Sequence, residues 1–458
     1  MKFMKLAVAA VASFAFGNAY AFHSGGVAEC EGCHTMHNSL DGQPMIPADV
    51  MAANGLAQYE AGPYLLQGNQ SENCLNCHQN SSQDPLAQDK GPTGYHISTQ
   101  PSQLALAGDT AGVPAVPMQM TPGGDFGWIR ADVPYAVRGT PATNHGSARG
   151  HNIVAPGYGY TADPVKTTAP GGSFVAANLM CSSCHDPHGR ARVLDSTTAD
   201  VQVVPALGGA TAPIYTSGSY GATTKPGLAI GVFRILGGVG YAPKSYNAGA
   251  FTAPAPVAAA PSSYNASEAV SETVVAYGKG MSEYCANCHP AMLQNGYVSG
   301  TSMQVHPAGN GAPLGATIAA NYLAYVKSGD LSKTGANYTS LIPFETGVVD
   351  TGALRPLSGR LAPGAGPVAE ATDNVSCLSC HRAHASGFDS MLRFAHENEF
   401  MTIADATGAA AFDTNAAEGK VNRGFYGKVA QETQYYGRPA TKFAPYQRLL
   451  CNKCHAKD

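Results

Sequence analysis

The chain has no cysteine outside one recurring pattern, one tryptophan in 458 residues, and few charges, with Asp, Glu, Lys and Arg making only 13% of it. A soluble domain ordinarily carries roughly 25% charged residues, so this weakly charged surface favours association over an isolated life in solution. Acids outnumber bases, 31 to 27, and no basic run suits nucleic acid or anionic lipid. Beyond the N-terminus nothing approaches the roughly 20 consecutive apolar residues of a membrane helix, so no membrane span is expected.

At the N-terminus Lys2 and Lys5 precede an apolar run from Leu6 to Phe16 and then Ala19-Tyr20-Ala21. That order is a secretory signal peptide with an Ala-x-Ala cleavage site. Residues 1–21 are the expected leader, and residues 22–458 the expected mature chain, read as a single domain. Its removal leaves 25 basic against 31 acidic side chains.

Glycine (53) and proline (31) make about 18% of the chain, against roughly 12% in average usage. Regular structure should therefore be sparse, with the sequence too rich in Ala, Val, Leu, Tyr and Phe to be disordered. Short helices are expected over Ala316 to Lys327, Pro47 to Leu56 and Glu268 to Tyr277, and short strands within Pro205 to Gly227 and Ala250 to Ser263. Something other than a helical or sheet layer must organise such a chain.

The cysteines say what. All twelve fall in six copies of Cys-x-x-Cys-His: Cys30/Cys33/His34, Cys74/Cys77/His78, Cys181/Cys184/His185, Cys285/Cys288/His289, Cys377/Cys380/His381 and Cys451/Cys454/His455. This is the attachment pattern of c-type haem, in which two thiols one helical turn apart bond the macrocycle and the next residue offers its imidazole to the iron. Zinc clusters use Cys-x-x-Cys too, but they have no need of His after every second Cys. Six disulfides would leave the same six histidines unexplained. The expected fold is a multihaem cytochrome c: mostly coil and loops, few short helices, minimal β, organised around a file of six stacked, covalently bound haems. Each macrocycle is expected to be buried by the loops around it. The first cysteines lie 44, 107, 104, 92 and 74 residues apart, so no sequence repeat sets the spacing.

Nine histidines remain outside the motifs: His23, His37, His96, His145, His151, His188, His306, His384 and His396. Six irons need six distal ligands, and the candidates are His23, His37, His96, His151, His188, His306 and His384, with His145 and His396 set aside. Three motifs extend to His-x-x-His, giving His34/His37, His185/His188 and His381/His384. Residues at i and i+3 share one side of a turn, whereas the two axial ligands of an iron approach from opposite faces. His37, His188 and His384 must therefore serve other haems than their own motif's. A six-coordinate haem has no vacant position for substrate, and no Cys-x-x-Cys-Lys variant marks a reactive haem. The chemistry expected is electron transfer, not catalysis; a small-molecule oxidoreductase is the less favoured reading.

Several stretches carry a further resemblance: FHSGGVAECEGCHTMHNSL from Phe22, MTPGGDFGW from Met120, CSSCHDPHG from Cys181, GMSEYCANCH from Gly280, HPAGNGA from His306, CLSCHRAHASGFDSM from Cys377 and KFAPYQRLLCNKCHAKD from Lys442. Together they resemble the hexahaem outer-surface filament cytochromes, the extracellular cytochrome nanowire family of metal-reducing bacteria. The resemblance implies six bis-histidine haems in a continuous file and a head-to-tail homopolymer, secreted through the periplasm to the outer cell surface. It implies delivery of electrons to extracellular acceptors such as metal oxides, electrodes or partner cells, with other c-type cytochromes as partners. It also implies that His37 crosses the subunit interface to the haem of His381. A monomeric periplasmic or surface shuttle is the alternative.

Intact mass spectrometry should return the residue 22–458 chain plus six haems, and the reduced protein should fail to bind carbon monoxide. A mass short by one haem, or stoichiometric carbon monoxide binding without denaturation, would contradict the six-coordinate reading.

Overall fold

The computed structural model describes residues 30–39, 42–58, 60–80, 96–101, 105–106, 115–117, 121–137, 140–189, 191–194, 202–203, 214–216, 229–243, 249–260, 275–293, 296–297, 304–324, 342–358, 370–396, 400–412, 425 and 428–455. The leader and His23 lie outside the described residues.

Among them are eight short α-helices: α1 Ala48–Asn54, α2 Gln70–His78, α3 Met281–Cys285, α4 Gly315–Ala324, α5 Thr351–Leu354, α6 Cys377–Cys380, α7 Lys428–Gln434 and α8 Leu450–Cys454. Four of these, α2, α3, α6 and α8, carry cysteines of the haem motifs. The α2 helix has the strongest start: Asn69 accepts the amides of Ser71 and Glu72, and the Glu72 carboxylate accepts the Asn69 amide in return. Such a capping box satisfies amides that would otherwise lack partners. The helix expected near Pro47 is present as α1 and the one near Ala316 as α4, with residues 325–327 outside the described set. Of the third, residues 268–274 lie outside the described set, and Ala276–Tyr277 at its described end is a strand.

Strands are two to five residues long. The expected ones appear as Ile214–Thr216 and Ala258–Ala259. One four-stranded sheet runs Ala258–Ala259, Ala276–Tyr277, Phe344–Glu345, Asn374–Val375. Its second strand leads into α3 and its last into α6, so it brings the fourth and fifth haem motifs together with Glu345 between them.

The described apolar core falls into three main clusters strung along the chain. One gathers Leu75, Phe126, Trp128, Ile153, Tyr160 and Phe425; the middle one gathers Phe233, Tyr241, Phe251, Tyr277 and Tyr284; the last gathers Tyr322, Phe344, Phe388, Phe394, Tyr435 and Phe443. Aromatic rings dominate all three and pack largely edge to face, as Trp128 does on Phe425 with centroids 5.6 Å apart, the arrangement their quadrupoles favour.

Ala385 is, with Phe425 and Ala430, an exception to the string, since it belongs to the first cluster although it follows the fifth motif. Its loop crosses back to lie on Gly123, Gly124 and Gly150, with the His384 amide donating to the Gly123 carbonyl at 2.8 Å and the Ser386 amide to the Arg149 carbonyl at 3.0 Å. At Gly124 φ is +84° and a Cβ would fall 1.7 Å from the Ala385 carbonyl oxygen. At Gly240 φ is +80° but a Cβ would meet nothing within 4 Å. Gly240→Ala should thus cost only the left-handed strain of about 1–2 kcal/mol. Gly124→Ala should cost at least about 2 kcal/mol more, because backbone must move. Denaturant unfolding of the two variants checks the order.

Candidate haem centres

In each Cys-x-x-Cys-His the chain makes one helical turn. The His amide donates to the carbonyl of the first Cys at 2.8 Å in the first motif, 3.0 Å in the third, fourth and sixth, and 2.9 Å in the fifth, and in the second the turn is the end of α2. That turn sets both sulfurs on one side and the imidazole beyond them.

The attachment cysteines sit at different depths. Cys77, like Cys30 and Cys451, is exposed, while the other nine are partly buried. The reason at Cys77 is helical geometry. Leu75 fixes the inward side of α2, being 0% exposed, and Cys77 follows two residues later, about 200° further round the helix at 3.6 residues per turn. Its thiol therefore points away from the first aromatic cluster. It still lies close enough to Cys74 to act on it electrostatically, so the second motif keeps both sulfurs on one turn despite the unequal burial.

The three His-x-x-His motifs share a second feature. Each lies against a turn in which two successive non-glycine residues are left-handed: Tyr64 and Leu65, Arg234 and Ile235, Ser390 and Met391, with φ between 52° and 63°. The first residue of each pair accepts the Nδ1–H of the motif His through its carbonyl, at 3.1 Å for His34–Tyr64, 2.7 Å for His185–Arg234 and 2.7 Å for His381–Ser390. The second accepts the amide after that His, in Thr35, Asp186 and Arg382. A leucine then bridges back to the His in all three: Leu66, Leu236 and Leu392. Left-handed residues of this kind cost of order 1–3 kcal/mol each, and what the strain secures is a fixed tautomer. With Nδ1 protonated and donating, Nε2 is left bare for a metal.

Four imidazole pairs face each other across a gap. Centroids are 6.4 Å apart for His34–His188, 6.3 Å for His185–His384, 6.1 Å for His151–His289 and 6.0 Å for His306–His455. Two imidazoles bonded to opposite sides of one metal at about 2.0–2.1 Å per bond place their centroids at a closely similar separation. Distal rings are oriented like proximal ones: His151 Nδ1 donates to the Ala383 carbonyl at 2.7 Å and His306 Nδ1 to the Pro307 carbonyl at 2.8 Å. Phe126 stacks on His384 at 4.7 Å. Burial favours the neutral form of four of the facing imidazoles, with His151 and His185 lowered to about 4, His384 to about 3 and His289 lowered as well. Neutral imidazole is the form that ligates. The residues present fit haem.

Of the distal candidates named from the sequence, His188, His384, His151 and His306 are thus the ones brought opposite motif histidines. His96 is buried beside the second motif, where the Ile97 amide donates to the His78 carbonyl at 3.0 Å and Gln79 pairs with Ser98. His37 is exposed, and among the described residues neither it nor His381 faces a second imidazole. His145 sits at the surface in an ion pair with Asp132 at 3.1 Å, and His396 is exposed.

The order of the motifs is also visible. Cys33 lies beside Cys74, Cys74 is in sulfur contact with Cys181, Cys184 lies beside Cys285 and Cys288, Cys285 contacts Cys377, and Cys380 lies beside Cys451 and Cys454. Attachment points therefore follow one another in space as they do in sequence. The Ser71 hydroxyl accepts the Cys181 amide, and the Ser282 hydroxyl accepts the Cys377 amide, each at 3.1 Å. Sequence reasoning missed this order and the left-handed turns. A faint signal existed in the Ser-Glu-x-Cys that opens both the second and fourth motifs, at Ser71 and Ser282.

No protein-family model matches the chain. It is 50% identical over 448 residues to the C-type cytochrome OmcS of Geobacter sulfurreducens, an alignment covering 96% of this chain and 95% of that protein. Two solved structures are similar, one of OmcS nanowires and one of an outer membrane cytochrome S filament from the same organism. Each gives a TM-score of 0.78 at 49% identity, over 95% of this chain and 100% of the other. With the haem motifs, the facing imidazoles and this degree of identity in agreement, the chain belongs to the OmcS family of c-type cytochromes.

Proposed function

We propose that the chain binds six haems in a continuous file and polymerises head to tail into an extracellular filament that carries electrons to external acceptors. One observation carries the reading. The second His of each His-x-x-His serves the preceding such motif: His188 faces His34, and His384 faces His185. One further step along the same progression hands His37 to a motif before the first, which is the fifth motif of another copy. His381 is the proximal residue of that motif, and within the described chain no imidazole faces it. The flanks of His37 suit an interface too, with Met36 70%, Tyr64 63% and Leu65 49% exposed. His96 supplies the remaining iron, that of His78.

Haem when bound supplies the electron carrier, cycling between ferric and ferrous iron. The chain's own residues would attach and space the carriers, offer each iron two imidazoles, and surround the sites with aromatic rings. With no open position at an iron, the chain transfers electrons and does not turn over a substrate. A contact that joins different surfaces of identical subunits propagates without limit unless its rotation closes a ring, so donation of His37 to the next copy is itself a polymerisation mechanism. Export by the leader and the filament resemblance support an extracellular location. Among the described residues no helix is long and apolar enough to cross a membrane.

His37→Ala and His188→Ala each remove one proposed ligand. Both variants should keep six attached haems and show one iron per protomer leaving the low-spin state. Only His37→Ala should abolish or shorten the filaments seen by negative-stain microscopy. A His37→Ala protein that polymerises normally with every haem low-spin would overturn the cross-subunit assignment.

A further inference from the structure

The second/third and fourth/fifth motif junctions are built alike, from Ser71 with Cys181 and from Ser282 with Cys377, yet they differ in the group that receives the serine amide. Glu345 is 1% exposed and reaches the fourth/fifth junction. Its Oε2 accepts the Gly280 amide at 3.1 Å; its Oε1 accepts the Ser282 amide at 3.1 Å and the Ser282 hydroxyl at 2.9 Å. The Ser376 hydroxyl completes the set. Gly280 and Ser376 are the residues just before α3 and α6, so one carboxylate ties together the starts of both motif helices. It lies near enough to Cys285 and Cys377 to act on both electrostatically.

At the second/third junction the group that receives the matching Ser71 amide is the Asn69 side-chain oxygen at 2.9 Å, which is neutral. Glu72 and Glu283 occupy the same place in the two motifs; Glu72 is buried, its carboxylate accepting the Asn69 and Gly157 amides, and Glu283 is partly exposed. Among the described residues no Lys, Arg or His pairs with Glu345, whose partners are an amide pair and two hydroxyls, with the Glu283 charge acting on it from nearby. Both of its oxygens accept backbone N–H bonds, an arrangement that suits the ionised form. Desolvation works the other way and raises its pKa from the ordinary carboxylate value.

We propose that Glu345 sets the reduction potentials of the haems at His289 and His381, holding them lower than they would stand without its charge. A fixed negative charge in a buried site stabilises ferric over ferrous haem, and net charge and burial are among the levers a protein has on such potentials. Asn69 exerts no such pull on the haems at His78 and His185. The proposal rests on the six-haem reading above.

The test is spectroelectrochemical titration at pH 7 of the purified, fully haem-loaded protein and its variants. Glu345→Gln keeps the side-chain length and an acceptor oxygen but removes the charge. It should move two of the six midpoints to more positive values and leave four in place. Glu345→Asp should keep them near the wild-type values. Asn69→Asp retains a good helix cap and adds charge at the other junction; it should move a different two midpoints to more negative values. If Glu345→Gln does not assemble, Asn69→Asp decides alone. Unmoved midpoints in a variant with six low-spin haems would overturn the proposal and leave the six-haem reading standing. A wild-type mass showing fewer than six haems would instead overturn the reading on which it rests.

Discussion

Everything in this molecule depends on imidazoles that meet across long stretches of chain. His188 faces His34 across more than 150 residues of chain, and His384 faces His185 across nearly 200. Those crossings take the place of a sheet or a bundle. They force the loop after the fifth motif back over Gly123 and Gly124 to join the first aromatic cluster, and they account for a glycine whose Cβ would strike backbone. Loop closures of this length are entropically costly, and metal–ligand bonds that form only in the folded chain are strong enough to offset them. Secondary structure can then stay short, because the elements need only orient ligands over a turn or two.

The ligands are not independent of one another. The His384 carbonyl accepts the His151 amide at 2.8 Å, and the Ala383 carbonyl holds the His151 Nδ1. This short stretch therefore orients two imidazoles at once, the ones that face His185 and His289, so a displacement of either is felt at the other. Sulfur contacts between Cys74 and Cys181 and between Cys285 and Cys377 do the same on the attachment side.

Much of this was legible in the sequence, for reasons that differ from residue to residue. The twelve cysteines and six proximal histidines are covalent chemistry at a set spacing and need no fold to be read. How deeply each cysteine sits is another matter, since the outward turn of Cys77 depends on which side of α2 Leu75 buries. That His188 and His384 serve foreign haems follows from helical geometry alone. Which haems they serve does not, since it depends on where long loops of glycine and proline carry the chain, and no local preference encodes that. The turn pairs Tyr64–Leu65, Arg234–Ile235 and Ser390–Met391 were invisible for a related reason. None is a residue that favours positive φ, so only hydrogen bonds from a distant imidazole reveal why the backbone is held there. The strand at Ala276–Tyr277 likewise pairs with residues 258–259 and 345, partners that a helical reading of its own neighbourhood does not consider.

The two halves of the file also show how a repeat can persist in space after it has faded from sequence. Second and fourth motifs begin with Ser-Glu, third and fifth motifs carry a serine between their cysteines, and the hydroxyl–amide bonds that join each pair match to within the quoted distance. Duplicated geometry of this kind would by itself give two electrically identical junctions. A chain that conducts in one direction under a small driving force gains from departures that alter charge without altering shape. The exchange of a neutral Asn69 oxygen for a Glu345 carboxylate at otherwise equivalent amides is such a departure.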